Sequence, residues 1–243
     1  MRAQLKLTGP QRNAMNTTLQ KWFARTGIPS ALIFFAGMLL MTFLPPVSPA
    51  LDAEAVATLY REHATAIRAG AILIIISSMP AITFYAAISI QLRQLEGQAR
   101  PIASIAQAIA GAANIQFFIF PGLLFVVASF RPERSPELLQ TLNDLAFLVT
   151  ILPWPITCVQ ALICGVAILA HSDRNPVFPR WVGFFNLWVA VLFLPGALIP
   201  FFKTGPFAWN GLLAFWVPAT MFGAWFVVMQ IMLGRAIERE VQH

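Results

Sequence analysis

Hydrophobic residues run along this chain in six long, almost uncharged stretches separated by short polar segments. The stretches are Ile28–Pro49, Ala66–Leu92, Pro101–Ser129, Leu145–Ala170, Trp181–Phe202 and Gly211–Gly234. Each is long enough to cross a bilayer as a helix, which takes about 20 residues. The pattern therefore predicts an all-α integral membrane protein built as a six-transmembrane-helix bundle.

The segments between these stretches are too short to fold independently. Residues 1–27 are predicted to form a cytoplasmic or interfacial N-terminal segment, residues 28–235 the transmembrane domain, and residues 236–243 a cytoplasmic tail. This division leaves no room for a soluble catalytic or nucleotide-binding domain.

The composition agrees with a lipid environment. Of the 243 residues, 58% are hydrophobic and only 11% are charged, whereas a soluble domain carries about 25% charged residues. So few charges cannot cover the surface of a soluble globule of this length. The bilayer itself is therefore the first predicted partner.

Lysine and arginine are unevenly distributed between alternate loops. Eleven lie on the same side as the N-terminus: Arg2, Lys6, Arg12, Lys21, Arg25, Arg93, Arg100, Arg174, Arg180, Arg235 and Arg239. Five lie on the other: Arg61, Arg68, Arg131, Arg134 and Lys203. Because cytoplasmic loops carry the excess of positive charge, both termini are predicted to be cytoplasmic. There is no basic stripe outside the loops, which argues against a nucleic-acid partner.

Two further features concern the compartment. Arginine greatly outnumbers lysine, which we associate with GC-rich bacterial coding, and no acidic residue precedes Asp52. A mitochondrial transit peptide can also lack acids, but we favour the bacterial inner membrane. The segment "HSDRNPVFPRWVGFFN", with its "PRWVG", resembles one in uncharacterised six-helix bacterial inner-membrane proteins. This resemblance covers the loop and the fifth stretch, agrees with the helix count and implies no activity.

Proline recurs at comparable places in the six stretches. The odd stretches carry one near their outer ends and the even stretches carry one followed closely by threonine: Pro45, Pro121 and Pro195, then Pro80, Pro155 and Pro218. Internal repeats are common in transport folds. The spacing predicts three two-helix repeats, with chance matches in a proline-rich chain as the alternative.

Two outer loops contain a Ser-Pro pair, beginning at Ser48 and Ser135. Serine is a favoured N-cap and proline a favoured first helical residue. Both loops are predicted to form short surface helices.

The fourth stretch contains Pro153 and Pro155, each of which removes a helical N–H and bends the axis. A carbonyl released in hydrocarbon needs a protein, water or ligand donor. In the third stretch, Ser104, Ala108 and Ala112 form a small-residue face that favours tight packing in the inner half. Together these features predict a bundle closed inside, with a cavity open toward the outer half of the bilayer. Alternatively, the prolines are merely tolerated, as they often are in membrane helices.

Uncharged residues near mid-span are the candidates to line that cavity. They are Ser78, Thr83, Asn114, Gln116, Trp154, Thr157, Gln160 and Thr220. For each polar residue the alternative is a bond to its own helix or to a neighbouring helix. Asn114 and Gln116 are also candidate donors to the carbonyls released by Pro153 and Pro155.

Few residues in or near the six stretches could provide a charged or metal-binding group. Arg68 and Lys203 are candidates for an anionic group at the cavity mouth, with snorkelling to headgroups as the alternative for Arg68. No acidic residue lies deep in a stretch, which disfavours proton- or sodium-coupled transport. His63, His171 and His243 are scattered. No catalytic residue, metal site or cofactor is predicted.

Three classes of function remain. The first is a protein that binds or conducts a neutral, lipid-like or weakly anionic small molecule through an uncharged cavity. The second is an accessory or scaffold subunit that packs against copies of itself or a larger membrane complex. The third is a membrane enzyme acting on lipid, which the lack of clustered acids or histidines disfavours.

Overall fold

The computed structural model describes residues 9–171 and 177–242, with side chains described from 16 to 171 and from 177 to 239. These residues form helices and loops and contain no strand. The helices are α1 (Gly9–Ala24), α2 (Gly27–Leu40), α3 (Ala53–Glu96), α4 (Ile102–Asn114), α5 (Gln116–Phe130), α6 (Pro136–Ile151), α7 (Trp154–Ala170), α8 (Arg180–Phe193) and α9 (Val217–Gln242). A 3-10 helix covers Leu194–Phe201, and a π-helical turn covers Leu212–Trp216.

Six helical segments are long and apolar enough to cross a membrane, and we number them span 1 to span 6. They are Asn16–Leu40, Ala53–Glu96, Ile102–Phe130, Pro136–Ala170, Arg180–Phe201 and Leu212–Arg239. Each overlaps one of the predicted stretches, so the all-helical, six-span prediction is confirmed. The side of the membrane on which the termini lie stays a prediction.

Helix α3 is the central element of the bundle. Its 44 residues extend for about 66 Å at 1.5 Å per residue, roughly twice the hydrocarbon thickness. Its first turns therefore project beyond the bilayer. The helix packs against α2, α4, α5 and α6, and it buries Tyr60, Ile67, Phe84 and Leu92 at successive heights. Spans 1, 3, 4 and 6 thus contact one continuous helix, whereas α8 of span 5 packs against α7 and α9.

The two Ser-Pro loops differ from each other. Ser135 is the N-cap residue of α6 and Pro136 its first residue, as predicted. Ser48 is not an N-cap residue. Helix α3 begins at Ala53 and its N-cap is Asp52, whose carboxylate accepts the Ala55 N–H at 2.8 Å. In both places the helix continues into a span, so the prediction of separate surface helices was wrong.

The prolines of the even spans are not equivalent. Pro80 lies inside the unbroken helix α3. Pro155 follows a break in span 4, and Pro218 follows the π-helical turn of span 6. Two of the three therefore share a setting and the third does not, and the three-repeat prediction remains unsupported.

The buried face of α4 differs from the predicted one. Ser104, Gln107 and Asn114 are buried, whereas Ala108 and Ala112 are exposed. A strict four-residue step rotates by about 40° at each repeat on a helix of 3.6 residues per turn. The buried face follows alternating three- and four-residue steps, so the predicted small-residue face was wrong beyond Ser104.

Close contacts between glycines hold two pairs of neighbouring spans. A Cβ built on Gly37 of α2 would lie 2.7 Å from the Gly70 carbonyl oxygen of α3. A Cβ on Gly165 of α7 would lie 3.0 Å from the Gly183 carbonyl oxygen of α8. Glycine allows helix backbones to approach this closely in membranes.

We expect Gly70→Ala to lower the free energy of unfolding by about 1–3 kcal/mol, because the new methyl group would overlap the Gly37 carbonyl and the Met41 side chain. Gly234→Ala is the matched control, since nothing lies within 4 Å of its Cβ position. The measurement is unfolding in detergent by SDS titration. Equal effects of the two substitutions would contradict the close-contact interpretation.

The predicted orientation can be tested by single-cysteine labelling in a Cys158→Ala, Cys164→Ala background. Glu62, Thr204, Gln98 and Glu238 are all exposed. We expect an impermeant maleimide to modify cysteines at 62 and 204 on intact cells, and cysteines at 98 and 238 only after permeabilisation. The reverse pattern would overturn the orientation derived from the Lys/Arg distribution.

Candidate ligand-binding cavity

A cavity of about 840 Å³, counted with its open mouth, lies among spans 1, 3, 4, 5 and 6. We call it the main cavity. Its lining is Phe34, Phe35, Met38, Asn114, Phe117, Phe125, Phe147, Thr150, Ile151, Pro153, Trp154, Thr157, Phe193, Gly196, Ala214, Phe215, Pro218, Ala219 and Phe222. Nine of these nineteen residues are aromatic, so the walls are bulky and apolar.

The main cavity lies in one half of the bundle. Spans 1, 3 and 5 contribute residues from their second halves or midpoints, and spans 4 and 6 contribute from their first halves or midpoints. These parts meet nearest the loops 41–52, 131–135 and 202–211. This is the half that the Lys/Arg distribution assigns to the outside.

Departures from α-helical geometry coincide with the cavity. Span 4 is interrupted between Ile151 and Trp154, where Pro153 supplies no N–H. Span 5 ends in the 3-10 helix and span 6 begins with the π-helical turn. Pro153, Gly196 and Pro218, which belong to these irregular segments or adjoin them, line the cavity. The cavity thus forms where three spans bend.

The irregular backbone of span 6 finds its hydrogen bonds within the protein. The N–H groups of Leu213 and Ala214 donate to the Pro206 carbonyl at 2.9 and 3.2 Å. Phe215 N–H donates to the Gly211 carbonyl at 3.0 Å. The loop before span 6 therefore satisfies groups that hydrocarbon could not.

Three phenylalanines from three spans form the wall nearest mid-span. The rings of Phe34 and Phe117 lie 5.2 Å apart, those of Phe117 and Phe222 5.2 Å apart, and those of Phe34 and Phe222 5.6 Å apart. These are the separations of favourable aromatic pairs. Mutual contact holds each ring in place, so the wall is preorganised.

The wall nearest the loops is also aromatic. Phe147 lines the cavity, and Trp209 stacks on it with ring centroids 5.2 Å apart and planes at 10°. The Trp209 indole N–H donates to the Val47 carbonyl at 2.7 Å. This bond ties the loop before span 6 to the loop after span 1.

Asn114, Thr157 and Gln160 form a polar cluster, which we call the amide cluster; Asn114 and Thr157 line the main cavity. The Thr157 hydroxyl donates to Asn114 Oδ1 at 3.2 Å. The Asn114 amide nitrogen donates to Gln160 Oε1. The Gln160 amide nitrogen is buried and has no hydrogen-bond partner. The cluster joins α4 to α7 and retains one free donor.

A second, smaller cavity, the deep pocket, adjoins the first. It shares Asn114, Phe117, Thr157, Phe193 and Phe222 with the main cavity, and its other lining residues are Tyr85, Gln160, Ala161, Val189, Trp225 and Phe226. Among the residues that the structure describes, no charged side chain lines either cavity.

Two polar side chains beside the deep pocket are paired with each other. The Trp225 indole N–H donates to Asn186 Oδ1 at 2.8 Å, and the Asn186 amide donates to the Val182 carbonyl at 2.8 Å. The first of these bonds joins spans 5 and 6. The amide nitrogen of Gln160, by contrast, is buried without a partner.

The structure brings four of the eight mid-span candidates together: Asn114, Trp154, Thr157 and Gln160. Asn114 bonds to side chains of α7, so the prediction that it serves a carbonyl released by Pro153 or Pro155 finds no support. The other four candidates lie outside both cavity linings: Ser78, Thr83, Gln116 and Thr220.

Two of those four make helix bonds. The Ser78 hydroxyl donates to the Ile75 carbonyl at 2.6 Å, one turn back on its own helix. The Thr83 hydroxyl donates to the Pro80 carbonyl at 3.0 Å and lies 2.9 Å from that of Thr26. Gln116 is half-buried at the start of α5, and Thr220 is exposed.

The two predicted cations do not reach the cavity. Arg68 is half-buried and bonds to the Ala64 carbonyl at 3.1 Å and to the Thr65 hydroxyl at 3.4 Å, both on its own helix. Lys203 is exposed in the loop before span 6. Neither lines the main cavity, so the idea of an anion site at its mouth finds no support in these positions.

The phenylalanines of the walls were not among the named candidates. Polar side chains were selected because they are rare in a span, whereas the chain has 21 phenylalanines and nothing local separates a cavity wall from a lipid-facing ring. Phe193 comes just before "LPG" and Phe147 lies a few residues before "PWP". Their position close to a proline is the feature of the sequence that could have indicated these two phenylalanines as cavity residues.

Comparison with protein-family models, curated proteins and solved structures finds no match. Within residues 9–171 and 177–242, no group of three or more His, Cys, Asp or Glu side chains could hold a metal ion. The interpretation therefore depends on the cavity and its amide cluster.

We expect Asn114→Leu to lower the free energy of unfolding by about 1–2 kcal/mol, because the Gln160 oxygen would lose its donor in a buried setting. Gln116→Leu, two residues further along the chain and outside the cavity lining, should change it by less than about 0.5 kcal/mol. Thermal or SDS unfolding in detergent gives both values. A larger effect at Gln116 would contradict the assigned role of the amide cluster.

Proposed function

We propose that this protein binds a neutral, lipid-like small molecule in the main cavity, within the bacterial inner membrane. The observation that carries the proposal is a single cavity reached by five of the six spans and lined by nine aromatic rings. This cavity has no charged lining residue, and it lies in the half of the bundle that is predicted to face outward.

The lining supports a small-molecule site. Ligand pockets in proteins are lined mainly by apolar and aromatic side chains with a few polar groups. The main cavity has nine aromatic rings and three such polar side chains, Asn114, Thr150 and Thr157. A charged ligand would lose its hydration without gaining a counter-ion, which favours the neutral alternative over the weakly anionic one.

The packing below the cavity favours binding over conduction. Phe84 and Phe226 lie 5.3 Å apart, and Tyr85 and Trp225 lie 6.1 Å apart, with ring contacts linking the two pairs. These four rings come from spans 2 and 6, and three of them, Tyr85, Trp225 and Phe226, form the wall of the deep pocket. A ligand entering from the outer half would be retained there unless the rings moved apart.

The proposal predicts saturable labelling by an apolar photoprobe, an alkane that bears a diazirine. With the full chain in detergent, peptides containing Phe34, Trp154 and Phe222 should be modified in a saturable manner. Ala219→Leu should reduce that labelling about tenfold, because the added carbons occupy the cavity. Mass spectrometry of the peptides provides the measurement.

Ala108→Leu is the matched control, since Ala108 lies on the exposed face of α4. It should leave labelling of the cavity peptides unchanged. Thr150→Leu fills the main cavity from α6 and keeps the test usable if Ala219→Leu alone destabilises the fold. Labelling that never saturates, or that is the same in all variants, would show lipid contact only and would overturn the proposal.

A further inference from the structure

We infer that the deep pocket is a headgroup subsite in which Gln160 hydrogen-bonds a neutral oxygen acceptor of the ligand, such as a ketone, ester or ether. The inference rests on the proposed function and specifies the ligand class. The ligand would be a lipid-like molecule whose apolar body lies in the main cavity and whose polar end carries one acceptor.

The first support is the state of the Gln160 amide. Its side chain is 3% exposed, it lines the deep pocket, and its nitrogen has no partner. A buried donor without a partner is costly, and such groups in folded proteins call for an explanation. Gln20, Gln91 and Gln107 also carry unpartnered buried amide atoms, but none of them lines either cavity.

The hydrogen-bond order within the amide cluster determines what Gln160 offers. Thr157 donates to the Asn114 oxygen, so Asn114 presents its nitrogen to Gln160. The Gln160 oxygen is thereby occupied and the N–H₂ group is left. The ligand atom beside it must therefore be an acceptor.

The charge of that acceptor follows from its surroundings. No charged side chain lines either cavity in the described part of the chain. A carboxylate or phosphate would be buried without a counter-ion, which is strongly unfavourable. A neutral carbonyl or ether oxygen avoids this cost and pairs with the amide N–H.

The shape of the site provides the remaining support. Five residues line both cavities, so the two cavities adjoin each other. The indole N–H of Trp225 already donates to Asn186, and Asn114 is bonded at both ends. Gln160 is thus a buried donor available to a ligand at this depth.

The test compares 2-tridecanone with n-tridecane, two chains of equal carbon number that differ by the acceptor. Binding of each to the full chain in detergent is measured by native mass spectrometry, for the wild type and for Gln160→Met. For each protein we take the ratio of the binding constant of the ketone to that of the alkane. Both compounds also partition into detergent micelles, but this effect is the same for the two proteins and cancels when their ratios are compared. We expect a ratio at least about tenfold higher in the wild type.

Gln160→Met keeps the length of the side chain and places a weak acceptor beside Asn114, which limits damage to the fold. Asn114→Leu with Gln160→Leu makes the whole contact apolar and should also abolish the preference for the ketone. If the preference survives in these variants, Gln160 is not the donor and the inference is wrong.

The remaining outcomes separate the inference from the proposed function. If the wild type binds neither compound, the proposed function fails as well. If it binds both equally, the main cavity is a site for apolar molecules and the headgroup subsite is wrong, with the amide bound to water instead.

Discussion

A backbone N–H or carbonyl in hydrocarbon has no water to bond, so a span can leave helical geometry only where protein surrounds it. Spans 4, 5 and 6 do so at similar depth, between Ile151 and Trp154, over Leu194–Phe201 and over Leu212–Trp216. The Pro206 carbonyl receives two N–H groups from the last of these. The three irregular segments therefore face one another within the bundle, and the space between them is the main cavity.

The rest of the bundle supplies the rigidity that this arrangement needs. Helix α3 runs unbroken beside spans 1, 3, 4 and 6, and the glycine contacts fix α2 against α3 and α7 against α8. Trp209, stacked on Phe147 and bonded to Val47, ties two loops together. Because these contacts hold the spans in place, the bent segments do not collapse onto one another, and aromatic rings rather than backbone line the space.

The bilayer also changes how such a site gains affinity. A lipid-like ligand arrives from surroundings about as apolar as the aromatic walls, so transfer into the cavity yields little hydrophobic stabilisation, as for helix association in membranes. Affinity must come from close packing against preorganised rings and from a hydrogen bond that lipid tails cannot offer. Gln160, whose buried amide nitrogen has no partner, is the residue that we propose supplies that bond, so that one amide would determine selectivity in a largely apolar site.

The sequence by itself determined the number of spans, the helix start at Ser135–Pro136 and four residues of the site. Span length and the rarity of polar residues in hydrocarbon act locally, so they can be read from composition and spacing. Only the tertiary structure decided that Asn114 meets Gln160, that Thr220 faces outward, and that Phe34, Phe117 and Phe222 share a wall. Those relations depend on the rotation of each helix about its axis, which is set by packing against its neighbours, such as the approach at Gly37 and Gly70. An apolar span presents hydrophobic residues on every side, so its sequence alone does not distinguish the face toward lipid from the face toward a cavity.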